Sequence, residues 1–468
     1  MIRIFSQYVS VKSLLLMLLE GILIALSLVC GVKVRFLNEP DEFEYYTAMP
    51  DFAIQVAVVV VVLQVCFYYN DLYRLAAVGR RGEQVARVGA SLGAACLLLG
   101  LIYFLFPWLL IGRWVFVITV AFVGGFVMLT RIALDTAWRA TTNPNHVLIV
   151  GTGPWAQTVA RELGQRDDLN VRFVGFVSPR AEDATPGSTL FGMPVLGPAA
   201  DLEALAQAHR VSRIIVALED NRAALPIRAL VKLRVSGVEV EDTPTALAGL
   251  TGRVWLETAR PSWFVFSGGF SRSKLTLMLK RMFDLAFGLT GFLVTLPLML
   301  VVALAVKLSS RGPAMYRQVR VGLRGERFEV MKFRSMIDDA ESDNGAQWAQ
   351  VDDPRITTLG RFLRRYRLDE LPQFLNVVRG HMSFVGPRPE RPVFVEQLKE
   401  QIYYDERHSV RPGLTGWAQV QHPYCETPED HLRKLEYDLF YVKNLSILFD
   451  CAIVFQTVRI VLFGRGGR

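Results

Sequence analysis

Four long apolar segments fill the first third of the chain, at residues 13–32, 52–69, 90–111 and 114–134. Each is close to the ~20 residues that cross a bilayer as a helix, the one single-segment geometry that satisfies its own backbone in lipid. Hydrophobic residues make up 51% of the 468, yet 21% are charged. Both values hold only if the two kinds of residue are segregated along the chain. Arg3 and Lys12 precede the first run, Arg74, Arg80, Arg81 and Arg87 occupy the second loop, and Arg131 and Arg139 lie at the end of the fourth. The first loop carries Glu39, Asp41, Glu42 and Glu44, with Lys33 and Arg35 at its start. Positive charge collects on the cytoplasmic side, so both ends of a bundle spanning residues 1–140 are expected there. Further runs follow the first and no small-residue cleavage site does, so that run reads as a span, not a cleaved signal.

A polar linker at 141–145 opens a different pattern over residues 145–250. Apolar strands at 146–150, 171–177 and 212–218 alternate with helical periodicity, the signature of a doubly wound parallel sheet. After the first strand comes Gly151-Thr-Gly153-Pro-Trp-Ala156, a Rossmann-like fingerprint opening a helix, with Gly151 and Gly153 as candidate nucleotide-binding residues. The acid that should end the second strand is replaced by Ser178-Pro-Arg180, and Glu182 and Asp183 come late. This favours a structural or regulatory role, such as promoting a homodimer, over NAD chemistry. Cys30, Cys66, Cys96, Cys425 and Cys451 form no C-x-x-C pair, so no disulfide framework or zinc site is expected.

Residues 251–273 read as a linker, and 274–468 as a third domain. It opens with another apolar run, 285–306, long enough to span but interrupted by Pro297. Lys280 and Arg281 precede it; Lys307, Arg311, Arg317 and Arg320 follow it. Both flanks prefer the cytoplasmic side. A re-entrant helix over 282–308, bent where proline removes a backbone hydrogen bond, satisfies both. Asp284 is placed to pair with Lys280 or Arg281. The last apolar stretch, 445–463, contains Asp450 and Arg459 and reads as an interfacial helix.

The third domain's most unusual segment runs from Gly360 to Leu375. Arg361, Arg364 and Arg365 share one helix face, and Asp369-Glu370-Leu-Pro372 follows. An Asp-Glu pair alone usually marks a helix start. Here Lys332-Phe-Arg334-Ser-Met, Gly386-Pro-Arg388-Pro and Arg411-Pro-Gly413-Leu-Thr-Gly416 add cations on turns stiffened by proline and glycine. Rigid loops bearing arginine suit a diphosphate. The net charge of +8 also suits an anionic partner.

Asp369-Glu-Leu-Pro-Gln-Phe-x-Asn-Val, then Met382-Ser-Phe-Val-Gly-Pro-Arg-Pro, then Arg411-Pro-Gly-Leu-Thr-Gly-Trp-Ala-Gln-Val, resembles the bacterial sugar transferase family. Lys280-Arg-Met-Phe-Asp284, the proline-broken helix and Tyr437-Asp-Leu-Phe-Tyr-Val-Lys-Asn444 extend the resemblance from about Lys280 to Asp450. The four spans and α/β domain resemble its long, exopolysaccharide-type branch. The resemblance implies a monotopic, mostly helical phosphoglycosyl transferase domain in a bacterial inner membrane protein. It would move a hexose-1-phosphate from a UDP-sugar to undecaprenyl phosphate and release UMP. It further implies Asp369 as nucleophile, with Glu370 beside it, and Mg2+ held by Asp369 and Glu370. Lys332, Arg364, Arg388 and Arg411 are the expected phosphate contacts, with Arg334 a further candidate. Beyond the two substrates, the partners implied are membrane lipids.

One departure stands out: Gln421-His-Pro-Tyr-Cys-Glu-Thr-Pro428 replaces the family's Asn-Gly-Arg-Asn, leaving Pro423 where an arginine is usual. Three rival functions make their own demands on the sequence. A membrane-anchored nucleotide-sugar dehydratase or epimerase needs a Tyr-x-x-x-Lys pair, and only Tyr8 and Lys12 have that spacing. An inverting glycosyltransferase of another fold needs an Asp-x-Asp motif, which the C-terminal third lacks. A non-enzymatic membrane scaffold would use its basic surface on lipid head groups. No nucleic-acid-binding motif is present.

Overall fold

The computed structural model describes residues 2–4, 7–9, 11–70, 72–73, 81–141, 145–166, 171–179, 188–219, 225–270, 272–309, 311–337, 355–422 and 427–462. Arg74, Arg80, Arg180, Glu182, Asp183, Pro423 and Cys425 lie outside them. Tertiary contacts divide the chain into two compact units, essentially 8–246 and 247–468.

The first unit begins with helices Val11–Arg35, Phe52–Tyr69, Arg81–Leu105 and Arg113–Thr141. All four contain stretches long and apolar enough to cross a membrane. The third helix starts nine residues earlier than its apolar run and ends at Leu105, not Ile111. Pro107 follows at the start of a short 3-10 turn, where a proline disfavours continuing the helix. Leu28, Val32, Phe67, Val115 and Val127 pack the bundle core. Glu20 is fully buried against Arg131 at 2.8 Å, and Arg131 also donates to the Leu72 carbonyl. That pair ties the first helix to the fourth.

The same unit continues into a six-stranded sheet. Its order is Thr189–Leu190, Met193–Pro198, Val171–Ser178, Asn145–Val150, Arg213–Val216 and Glu239–Asp242. All neighbours pair parallel except the antiparallel edge at Thr189–Leu190. Helices Pro154–Gly164, Leu202–Ala208 and Ile227–Val235 supply the crossovers. At Gly151 φ is +132°, and a Cβ there would stand 2.2 Å from the Ala217 carbonyl oxygen. Only glycine makes this turn.

The second unit begins before the third domain read from sequence. The segment read as a linker, 251–273, contains the helix Pro261–Phe266 and packs into the core through Val254, Ala259 and Trp263. Arg253 pairs with Glu436 at 2.6 Å, and Trp417 Nε1 donates to the Gly252 carbonyl. Next comes the 36-residue helix Lys274–Ser309 with Pro297 inside it. A two-stranded antiparallel hairpin, Met315–Val321 with Arg327–Phe333, follows. The remainder is helical: Thr358–Arg365, Gln373–Arg379, Pro392–Leu398, Trp417–Gln421, Pro428–Lys443 and Ile447–Leu462. Short strands Ser383–Val385 and Gly413–Thr415 pair parallel at its centre.

Both ends of the long helix pack on this unit. Lys280 lies between Asp284 (3.3 Å) and Asp450 (2.7 Å) and also donates to the Val385 carbonyl. Gly288 and Gly291 let the side chains of Val377 and Phe374 approach closely. Val302 and Val306 join Phe333, Leu363 and Leu371 in a second cluster. Between these contacts Leu293, Val294, Leu298, Leu300 and Val301 stay exposed. Asp450, read from sequence as a charge on an interfacial helix, is fully buried by its ion pair and a bond from the Tyr441 hydroxyl.

Candidate active site

The acidic pair lies on a single 3-10 turn, Leu368–Glu370, entered through Arg367 in the left-handed region at φ 54°. Asp369 is 7% exposed and Glu370 8%. Adjacent residues on so tight a turn diverge, and the two carboxyls meet different surroundings. Glu370 Oε1 accepts from Arg388 at 2.7 Å and from Lys332 at 3.3 Å, and Oε2 faces Arg367 at 3.6 Å. Burial pushes the Glu370 carboxyl upward, but Arg388, Lys332 and Arg367 together outweigh it and hold it well below the usual carboxylate range. Among the described residues no donor sits on the Asp369 carboxylate. Burial, and then the charge of Glu370, push Asp369 up, opposed by Lys332, Arg364 and Arg388. Burial also lowers the Lys332 ammonium.

Each cation has a structural reason to be there. Lys332 is on the second hairpin strand, on the same face as Arg320, since side chains alternate along a strand. Arg364 ends the helix Thr358–Arg365, whose N-cap Thr357 accepts from Gly360 N, and its Nε donates to Ser335 Oγ at 2.9 Å. Arg388 is carried by a loop in which four successive carbonyls are bound. Pro387 O accepts from Gly413 N, Arg388 O from Arg407, Pro389 O from Arg320, and Glu390 O from Val321 N. Arg407 is in turn buried against Asp438 at 2.8 Å and donates to the Tyr404 hydroxyl. Glu390 is clasped by Lys434 and, at 3.9 Å, by Arg320. The guanidinium facing Glu370 therefore stands on fixed backbone.

Of the residues singled out in the sequence, Lys332, Arg364 and Arg388 gather around the pair. Arg334 is buried and donates to the Arg311 carbonyl. Arg411 is held apart: its Nε donates to the Gly380 carbonyl, and it lines a separate cavity to which neither Asp369 nor Glu370 contributes. Arg367, Arg320, Arg407 and Asp438 were not picked out. Arg367 was within reach, two residues before Asp369. Arg407 and Asp438 act through the fold, and no spacing marks them. His422, in the departing loop, faces Asp430 at 3.1 Å.

Mg2+ is held by one or two carboxylates together with substrate phosphates, and keeps several waters. Asp369 fits such a role, with two oxygens carrying no donor among the described residues. Glu370 fits less well, since its carboxylate is already engaged by three cations. Among the described residues no group of three or more His, Cys, Asp or Glu stands ready to enclose a metal.

In the α/β domain, a Cβ at Gly153 would lie 2.9 Å from Glu219 Oε1. A carboxylate therefore occupies the ground beside the glycine turn and the N-terminus of Pro154–Gly164, where a diphosphate would sit.

Comparison with known proteins agrees with this layout. The profile of the family described as bacterial sugar transferase matches residues 275–464, and that of a CoA-binding domain matches 69–244. The chain is similar to the UDP-N-acetylgalactosamine-undecaprenyl-phosphate N-acetylgalactosaminephosphotransferase of Aeromonas hydrophila, 40% identical over 53% of this chain and 58% of that protein. It is similar to the UDP-glucose:undecaprenyl-phosphate glucose-1-phosphate transferase of Escherichia coli (strain K12), 45% identical over 40% of each chain. With the enzyme of the same name from Xanthomonas campestris pv. campestris it is 32% identical over 73% of this chain and 72% of that protein. The first two matches thus span 58% and 40% of those relatives, whereas the third runs through most of both chains. Among the described residues five helices are long and apolar enough to span a membrane, and the chain is a membrane protein belonging to the bacterial sugar transferase family.

Proposed function

We propose that this protein transfers a hexose-1-phosphate from a UDP-sugar to undecaprenyl phosphate, at the cytoplasmic face of a bacterial inner membrane. The observation that carries the reading is the pair itself: a buried Asp369 with no donor on its oxygens among the described residues, beside a Glu370 whose charge three cations neutralise. An Asp369 oxygen attacks the phosphorus next to the sugar. The bond from that phosphorus to the bridging oxygen breaks, and UMP leaves. The undecaprenyl phosphate oxygen then attacks the same phosphorus, the bond to Asp369 breaks, and the carboxylate is restored. Burial strips water from Asp369 and makes it a better nucleophile. Lys332, Arg364 and Arg388 lie where charge builds on the phosphoryl oxygens. Bound to Asp369 and the diphosphate, Mg2+ would offset charge on the attacked phosphorus.

The re-entrant reading of Lys274–Ser309 is part of the proposal. Gly288 meets Val377, and Val302 clusters with Leu371. The two halves of the helix, on either side of Pro297, thus contact one short segment, 371–377. In this reading a bend at Pro297 returns the chain to the side it entered from. For the α/β domain we propose a structural role, because Glu219 places a negative charge at the glycine turn.

The test is a panel of UDP-sugars with undecaprenyl phosphate, run on the purified protein and on Asp369→Asn. UMP release and a lipid-linked product that disappear in the variant are expected. UDP release would indicate a glycosyltransferase, an altered nucleotide sugar a dehydratase or epimerase, and no turnover on any sugar a scaffold.

A further inference from the structure

The cavity that holds Arg411 has a volume of about 520 Å3 and is lined by Arg317, Arg327, Arg379 and Arg411 against two carboxylates, Glu326 and Glu329. Apart from Phe328, the hairpin residues that line it lie on the face away from Lys332 and the acidic pair. Met331 pairs with Arg317 and Lys332 with Tyr316, so Met331, Glu329 and Arg327 point to the opposite face of the hairpin from Lys332. Its cations are poorly matched within the protein. Among the described residues the Arg327 side chain makes no hydrogen bond or ion pair, and the Arg379 guanidinium meets only the Met331 sulfur, at 4.0 Å. Arg317 faces Glu329 loosely at 3.6 Å, and Arg411 spends only its Nε, on the Gly380 carbonyl.

The cavity also lies beside the foot of the long apolar helix. Arg281, four residues before the run that begins at Leu285, donates to the Val377 and Val378 carbonyls, and a Cβ on Gly380 would stand 3.3 Å from its guanidinium. Gly380 itself lines the cavity. Further along the same hairpin face Phe333 packs on Val302 and Val306, in the second half of that helix. A pocket of unmatched guanidiniums beside a membrane-entering helix has the charge and the position to take a phosphate at the lipid surface. Its volume, in the range of small-molecule pockets, exceeds what a bare phosphate fills.

We propose that this cavity binds the head group of an anionic glycerophospholipid, as a site separate from the one that handles the two substrates. The lipid phosphodiester lies among Arg327, Arg379 and the free nitrogens of Arg411. The glycerol lies toward the Gly380 turn, and the acyl chains run alongside the apolar helix.

The test uses the full chain in nanodiscs of phosphatidylglycerol and phosphatidylcholine, released into native mass spectrometry to count retained lipids. The wild type is expected to retain phosphatidylglycerol preferentially. Arg327→Glu combined with Arg379→Glu should lower that retention by about tenfold or more. Arg327→Lys combined with Arg379→Lys, which keeps the charge, should preserve most of it. Retention unchanged by charge reversal would overturn the proposal, and so would equal loss in both double variants. If UMP displaces the retained lipid, or if charge reversal raises the KM for UDP-sugar, the cavity belongs to the nucleotide and the proposal falls. The lipid count does not depend on turnover, so it stands or fails independently of the proposed reaction.

Discussion

Burial alone would raise both carboxyls of the 369–370 pair, and only the unequal sharing of cations separates them. Glu370 takes Arg388, Lys332 and Arg367 and is held ionised; Asp369 is left raised beside it. A raised carboxyl that must be ionised to attack gives an activity lost as pH falls through its pKa, at a pH above that of an ordinary aspartate. Glu370→Gln removes the neighbouring negative charge and frees Arg388 and Lys332 to face Asp369. Both changes lower its pKa, so the acid limb of kcat/KM should move to lower pH while kcat falls about tenfold or more. A limb that stays in place, measured over the same pH range, would contradict this sharing. The pair, Lys332, Arg364 and Arg388 were all legible in the sequence, because rigid Pro-Gly turns and a helical arginine face carry local signals. The Arg411 motif is as distinctive as the others, but which cavity it lines is settled by tertiary packing.

Three elements position this chemistry by what they bury. The loop Gly386–Glu390 is fixed by Arg407, itself held by Asp438 on the helix Pro428–Lys443. Asp438→Asn leaves the Arg407 charge buried and under-compensated, at a cost of about 3–5 kcal/mol. Arg388 should then shift, lowering kcat more than it raises KM; thermal unfolding and steady-state kinetics on one preparation check both effects. Lys280 fastens the apolar helix to Ser383–Val385 and Ile447–Leu462 by standing between Asp284 and Asp450. Lys280→Met strands two carboxylates and should cost at least about 3 kcal/mol, read as a lower unfolding midpoint. The Lys280–Asp284 pair was readable from its i, i+4 spacing. Asp450 was not: 170 residues away, its charge pointed to an interfacial helix until the fold supplied its partner. The segment 251–273 escaped for a similar reason, since its Gly, Arg and Pro residues resemble a linker while Val254, Ala259 and Trp263 find their core only in the folded unit.

For the molecule as a whole, segregation of apolar and charged residues made the architecture legible: a spanning bundle, an α/β domain and a basic catalytic unit. Runs that satisfy their own backbone in lipid, and strands that alternate with helices, need no tertiary information to be recognised. The proposed topology sets the basic flanks of the Pro297 run on the cytoplasmic side and the acidic first loop on the other. With the natural cysteines removed, a cysteine at Tyr45→Cys should label with a membrane-impermeant maleimide in intact spheroplasts. A cysteine at Glu396→Cys should label only after permeabilisation; the reverse pattern would exclude the proposed topology, since nucleotide sugars are cytoplasmic substrates. The central claim is that Asp369 carries the phosphosugar covalently, and the most direct measurement is intact-protein mass spectrometry after incubation with UDP-sugar in the absence of the lipid acceptor. The account requires a mass gain of one hexose phosphate, mapped to the peptide containing Asp369, discharged by undecaprenyl phosphate and absent in Asp369→Asn. An unmodified protein that still forms lipid-linked product when the acceptor is added, or an adduct that persists in Asp369→Asn, would contradict it.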